Sequence, residues 1–421
     1  MNNKIFSSYF LLLFSFIPAS IIVGPAVSLI NILLIDFSFI FLILYKKNYK
    51  FLSNKAVKLI MLLCLYLIFN SIISKDFLIS AHRNFGFIRF GILFLAFNYF
   101  FYNKEFINRV LIVWILTLSI LSLDTYVESF FGKNIFGYGE AYGRRIVSFF
   151  KDEPIVGGYI NGFYLIIIGY LFYLNNEISN KYKNIILIFS IFFLIAIILT
   201  GERSNTIKAI SGFFLFYFLN DFFKFKEKIF TILLLILAFT FLLNTSEFLK
   251  LRYEGQFFKQ IIYIFQAKSE MKKKDIYPVN KLKNNLYLLH YQSGFKVFKE
   301  YPIFGVGNKN YRVETCSKGN TIKYMCSTHP HQLYFEFLAE HGLFGSIILL
   351  YILFNLIFSK IKIVLNSKNY LQLGCLIFLL TSFIPILPSG AFFADYNLTI
   401  FWINLSLLYS VGKKTNIYLS N

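Results

Sequence analysis

Apolar residues come in long unbroken runs rather than in the alternation of half-buried strands or the one-sided stripe of a soluble helix. A helical run of about 20 residues spans about 30 Å of hydrocarbon. Twelve runs are predicted to do so: 5–23, 27–45, 57–73, 85–102, 109–130, 155–175, 184–200, 207–223, 229–246, 332–358, 370–387 and 392–411. The expected fold is all-α, a polytopic transmembrane helical bundle of 12 spans with one large loop before span 10. The domain layout follows as 1–246 (spans 1–9), 247–331 (the large loop) and 332–421 (spans 10–12). The first half of the loop, "EFLKLRYEGQFFKQIIYIFQAKSEMKKKD", reads as a basic amphipathic helix lying on the membrane. The second half is predicted as a helix ended by Pro302 and a glycine turn. No repeat of 20–50 residues stands out.

Composition supports the membrane reading, with 57% hydrophobic residues among 421. The net charge of +21 would suggest nucleic acid in a soluble protein. Here Lys and Arg sit between the apolar runs, as topology and anionic headgroups require, so no nucleic-acid partner is expected and membrane lipids are. Odd-side connections hold clusters such as Lys46, Lys47, Lys50, Lys55 and Lys58, while short even-side ones hold fewer. The positive-inside rule then places both termini in the cytoplasm and the 247–331 loop outside. The first run is read as an uncleaved span. Cys64 and Cys375 fall inside spans, whereas Cys316 and Cys326 lie ten apart in the outer loop and are expected to form a disulfide.

Chemistry concentrates in "CSTHPHQLYFEFLAEHGLFG", residues 326–345, which holds three of the five histidines. Three readings of His329 and His331 compete. As metal ligands with the cysteines they form C-x9-C-x2-H-x-H, whose spacing is not a usual zinc pattern. As part of a helix cap, Thr328 and Pro330 fit the start of span 10, but His is not a favoured cap. As a base, His331 would sit in the first helical turn, where the positive helix end keeps an imidazole neutral and able to accept a proton. Gly342 and Gly345 then fall on the His331 face and would admit a neighbouring helix or a lipid chain. Glu336 lies about 140° round the helix, poorly placed to orient that ring. Glu340 and His341 are candidates for pairing with another span, and His82 and His290 are read as ordinary loop or interface residues.

His331-Gln332, nine residues, and Gly342-x-x-Gly345 resemble the signature of the O-antigen ligase and O-antigen polymerase superfamily. "YPIFGVGNKNYR" (301–312), with Gly305 and Gly307, resembles the P-x-x-G-x-G turn of that family. "LTGERSN" (199–205) resembles its arginine motif, and "RRIVSFFKDEPIVGGYI" (144–160) an earlier segment with arginine before a span. The family-like core covers about residues 140–385. On the loop helix where the family pattern calls for an arginine, this chain has His290. The resemblance implies a membrane glycosyltransferase of the bacterial inner membrane, acting on the periplasmic face without a cofactor or metal. Its donor would be an undecaprenyl-diphosphate-linked glycan. Its acceptor would be a sugar hydroxyl on lipid A-core or another glycan. His331 is then the base and Arg203 the group that stabilises the leaving diphosphate. Arg144, Arg145, Arg312, Lys309, His329 and Gln332 are the further substrate-binding candidates. Polymerase chemistry is shared with ligase chemistry, so the motifs do not separate the two. A lipid-linked sugar transporter would instead show an internal repeat and broken half-helices in corresponding positions, neither of which the sequence displays.

Overall fold

The computed structural model describes residues 3–139, 145–151, 153–178, 182–258, 286–317, 319–320 and 323–419. Helices dominate, and among the described residues the only β pairing is an isolated Lys133–Gly139 bridge. In chain order they are α1 (Asn3–Val23), α2 (Pro25–Lys46), α3 (Lys55–Ile72), α4 (Phe77–Gly86), α5 (Ile88–Phe100) and α6 (Lys104–Phe131). There follow α7 (Val156–Ile178), α8 (Lys183–Leu199), α9 (Arg203–Leu219), α10 (Phe225–Thr245) and the short α11 (Glu247–Lys250). The last group is α12 (Leu286–Glu300), α13 (Tyr311–Cys316), α14 (Leu333–Ser367), α15 (Tyr370–Ser382) and α16 (Asp395–Ser410). Seven of them, α1, α2, α3, α6, α7, α10 and α14, are long and apolar enough to cross a membrane. The protein is an all-α, multi-pass membrane protein. The run expected at 85–102 forms α5 only from Ile88, since its first residues complete a separate α4, which Asp76 caps at its start by accepting from Ile79 N at 3.1 Å.

Two compact units form, and they do not follow chain order. The first comprises residues 1–114 and 285–421, the second residues 115–284. Aromatic packing holds the first unit together. Trp402 of α16 meets Phe87, Phe90 and Phe94 edge-on or stacked, and Phe14 of α1 meets Phe97, Phe100 and Phe101. Such pairs add about 0.5–1.5 kcal/mol each beyond the area they bury. In the second unit, 83% of the apolar window of α7 is buried, against 6% for α10. Thus α7 is the interior helix of that unit and α10 presents nearly its whole surface outward.

The amphipathic helix expected from Glu247 becomes α11 and a π-helical stretch, Leu251–Phe258. The rest of that segment lies outside the described residues. The expected second loop helix is α12, which ends just before Pro302.

Candidate active site

The sequence places Pro330 and His331 at the helix start, and the structure moves that start. Helix α14 begins at Leu333, with Gln332 as its cap accepting Phe335 N at 2.9 Å. His331 lies before the helix with φ of +56°, a left-handed conformation that residues other than glycine adopt at a cost. Two contacts hold it there. Ser389 N donates to the His331 carbonyl at 2.9 Å, and Pro330 packs against Gly294 of α12.

His290, read from sequence as an ordinary residue, is instead part of the site. Its ring centroid is 4.4 Å from that of His331, and His329 stands 4.1 Å away on another side. Tyr287 completes the surround, edge-on at 6.3 Å. His329 is fixed by both nitrogens. Its Nε2 lies 3.3 Å from the Ser389 carbonyl and so carries the proton, leaving Nδ1 to accept from the Thr328 hydroxyl at 2.9 Å. The His331 ring makes no hydrogen bond among the described residues, so its nitrogens are available. Burial, reinforced by the neighbouring His329 and His290, lowers the His331 pKa to about 4. The helix end, two residues on, is not its main cause. Burial also lowers His290 and His329.

Below the histidines α14 is broken. Gly342 has φ of +64° and ψ of −170°, so the helix seen as one face in the sequence is two segments. Residues 302–307 fill the gap. Leu343 N and Phe344 N donate to the Pro302 and Ile303 carbonyls at 2.8 and 3.1 Å, while Val306 N and Gly307 N donate to the Ala339 and Glu340 carbonyls at 3.0 and 2.9 Å. Backbone meets backbone so closely that a Cβ on Gly305 or Gly342 would collide with the opposite main chain. Gly345 serves differently. It leaves room for the Tyr66 hydroxyl, which lies 3.1 Å from His341 Nδ1. Neither glycine therefore offers a smooth face to a lipid chain.

The same turn is anchored to α3 and α4. Lys75 N donates to the Val306 carbonyl at 3.0 Å, and Asn308 N to Asn70 Oδ1 at 2.8 Å. Asn308 Nδ2 donates to Asn84 Oδ1 at 2.5 Å, and Asp76 N to Asn310 Oδ1 at 2.8 Å. Glu340 accepts from Tyr311 N at 3.3 Å, and Glu336 accepts from Phe392 N through both oxygens at 2.9 and 3.0 Å. Glu336 thus holds the 384–394 loop and does not orient His331. Arg83 and Arg89 share one Asp395 oxygen, each at 2.5 Å. Lys309, exposed with φ of +62°, feels Arg83, Asp395 and Glu340. Arg312 is exposed on α13. Cys316 and Cys326 are disulfide-bonded with Cα atoms 4.6 Å apart, so neither thiolate is free as a ligand.

In the second unit the organiser is Glu202, one residue before Arg203 and 7% exposed. Its carboxylate accepts from Gly157 N and Gly158 N in the first turn of α7, at 2.7 and 3.1 Å, and from Asn205 Nδ2 at 2.7 Å. Burial raises its pKa. The Asn205 and Gly157 bonds, the Arg145 charge and the Gly158 bond pull the other way. Around it stand three arginines. Arg203 Nη1 donates to the Gln256 carbonyl at 2.6 Å. Arg252 donates twice to the Gly201 carbonyl at 3.1 Å and once to Gln256 Oε1 at 2.7 Å. Arg145 reaches the Pro154 carbonyl at 3.3 Å and keeps a buried Nε without a partner. Arg144 lies outside the described residues. Sequence reasoning passed over Glu202 and gave Arg252 no role. A carboxylate beside the motif arginine, with a Gly-Gly pair opening the preceding span, was the available signal.

The sequence model of the O-antigen ligase family matches residues 188–350. That stretch contains both the Arg203 motif and the His331–Gly345 motif. No curated protein matches the chain.

Proposed function

We propose that the chain, whose residues 188–350 match the O-antigen ligase family, transfers a glycan from an undecaprenyl-diphosphate-linked donor to an acceptor sugar hydroxyl at the periplasmic face of a bacterial inner membrane. The observation that carries this reading is the His331 environment, an imidazole held neutral by burial with no hydrogen bond to its ring among the described residues. His331 takes the acceptor proton as the oxygen attacks the anomeric carbon with inversion. The bond to the diphosphate breaks, and its electrons leave with the phosphate oxygen. Arginine suits that departing charge because it stays protonated and binds two oxygens at once. Arg203 has this role, with Arg145 and Arg252 adding positive charge around Glu202.

Ligase and polymerase differ in the acceptor alone. The test is transfer from a purified lipid-diphosphate glycan, with lipid A-core and a second lipid-linked unit offered as separate acceptors. His331→Ala is expected to lose about 10²–10⁴-fold in rate with donor binding retained. Undiminished transfer by the variant would remove His331 from the reaction. Movement of glycan with no new glycosidic bond would point to a transporter.

A further inference from the structure

At the opposite end of α14 from His331, a cleft of about 640 Å³ opens in the first unit. It lies between the 50–53 turn, the start of α3, the later turns of α14 and the chain end after α16. Its Lys360 is about 25 Å from Leu343 along the second segment of α14, at 1.5 Å per residue. Among the described residues, Lys50, Lys55, Lys360 and Lys414 line the cleft and no Asp or Glu does. The chain supplies none nearby in sequence either, since residues 37–75, 341–394 and 396–421 contain no Asp or Glu. Lys360 is half-buried, with Nζ 4.7 Å from the centre of the Tyr409 ring. The Tyr409 hydroxyl fixes that ring by donating to the Leu356 carbonyl at 2.8 Å. A ring face eases the burial of an ammonium but does not neutralise it. Four like charges from four separate segments therefore converge on a hollow with polar Asn355 on its wall and no Asp or Glu among the described residues that line it.

We propose that this cleft binds a phosphate-bearing ligand, either the anionic headgroup of a phospholipid in the leaflet at that end or a soluble phosphate of the same chemistry. Helix ends surround it, as they would at a membrane surface, and Leu59 and Ile417 line it with apolar surface suited to the glycerol end of a lipid. None of the residues lining the cleft is among those assigned to glycan transfer, so the inference stands or falls without them.

The test uses the full-length protein, delipidated in detergent and titrated under native mass spectrometry. Phosphatidylglycerol, phosphatidylcholine and inorganic pyrophosphate are the probes. The wild type is expected to retain phosphatidylglycerol over phosphatidylcholine by on the order of tenfold or more. The variant Lys50→Gln, Lys55→Gln, Lys360→Gln, Lys414→Gln should lose that preference, and the matching set of Lys→Arg changes should keep it. The pair Lys360→Gln, Lys414→Gln gives an intermediate preference should the fourfold variant not fold. Pyrophosphate binding that vanishes in the Gln variant, with no lipid preference in the wild type, supports the soluble source. Equal lipid retention by wild type and both Gln variants, with pyrophosphate binding absent or unchanged, overturns the proposal.

Discussion

The histidine cluster of the first unit and the arginine cluster of the second handle charge in opposite ways. Around His331 everything works against a proton. Two further imidazoles stand within 4.1–4.4 Å, centre to centre, and the ring is partly buried. Near Glu202, three guanidiniums are held on backbone carbonyls, and the Arg145 charge also acts on the buried carboxylate, so positive charge is kept. The two clusters are complementary, because a neutral imidazole can accept a proton whereas a guanidinium, which only donates, can bind an anion. The protein assigns them to different motifs on different helices.

Replacing Arg203 probes the charged half of this contrast with the largest effect. Arg203→Ala should lower the transfer rate about 10²–10³-fold, as loss of a preorganised donor to a developing anion does. Arg203→Lys should recover only part, because one ammonium does not grip two oxygens as a guanidinium does. Full recovery by Lys would mean that charge alone matters. Next comes the loop that presents the histidines. Removing the Cys316–Cys326 bond by Cys316→Ser with Cys326→Ser should cost about 2–3 kcal/mol of loop stability, read as faster hydrogen exchange across 311–330. Unaltered exchange would show that the Tyr311–Ser293 bond and the core around Val306 and Tyr324 hold the loop unaided.

The smallest effect tests the neutral half. His331 lies below its ordinary value of 6.5, so the free base is present above about 4 and is lost as pH falls through that value. Folding linkage has the same sense: the stability associated with a neutral His331 is fully present above 6.5 and is lost as pH falls through about 4. The acid limb of the rate profile should therefore fall near pH 4. His290→Asn removes one like-charged neighbour but leaves the burial, so it should move that limb upward by less than about one unit. An unmoved limb would exclude His290 from setting the His331 proton.

Much of the fold was legible because long apolar runs have few alternatives in a membrane. Helix α4 was not, since its polar ten residues, Phe77–Gly86, blend into the flank of the next run. The site was legible as motifs and illegible as geometry. Pro330 reads as a first-turn proline, yet the left-handed His331 postpones the helix to Leu333. Gly342 reads as part of a helical face only if the helix is continuous, and the 302–307 turn that breaks it lies far back in the chain. His290 and Glu202 needed tertiary contacts, the first with a ring 41 positions later and the second with amides 44 and 45 positions earlier.

The break at Gly342 also changes which part of the molecule the histidine-bearing segment belongs to. Unbroken, the 35 residues of α14 would reach about 52 Å, well beyond a hydrocarbon core of about 30 Å. Spliced to the 302–307 turn, residues 333–341 share their hydrogen bonds with the loop, and residues from Gly345 onward behave as the span. Local opening should then follow the splice. Amides of 333–341 should exchange together with those of 303–311 and apart from those deeper in α14, so that the histidine-bearing segment keeps its own cooperative unit while the bilayer around the span thickens or thins.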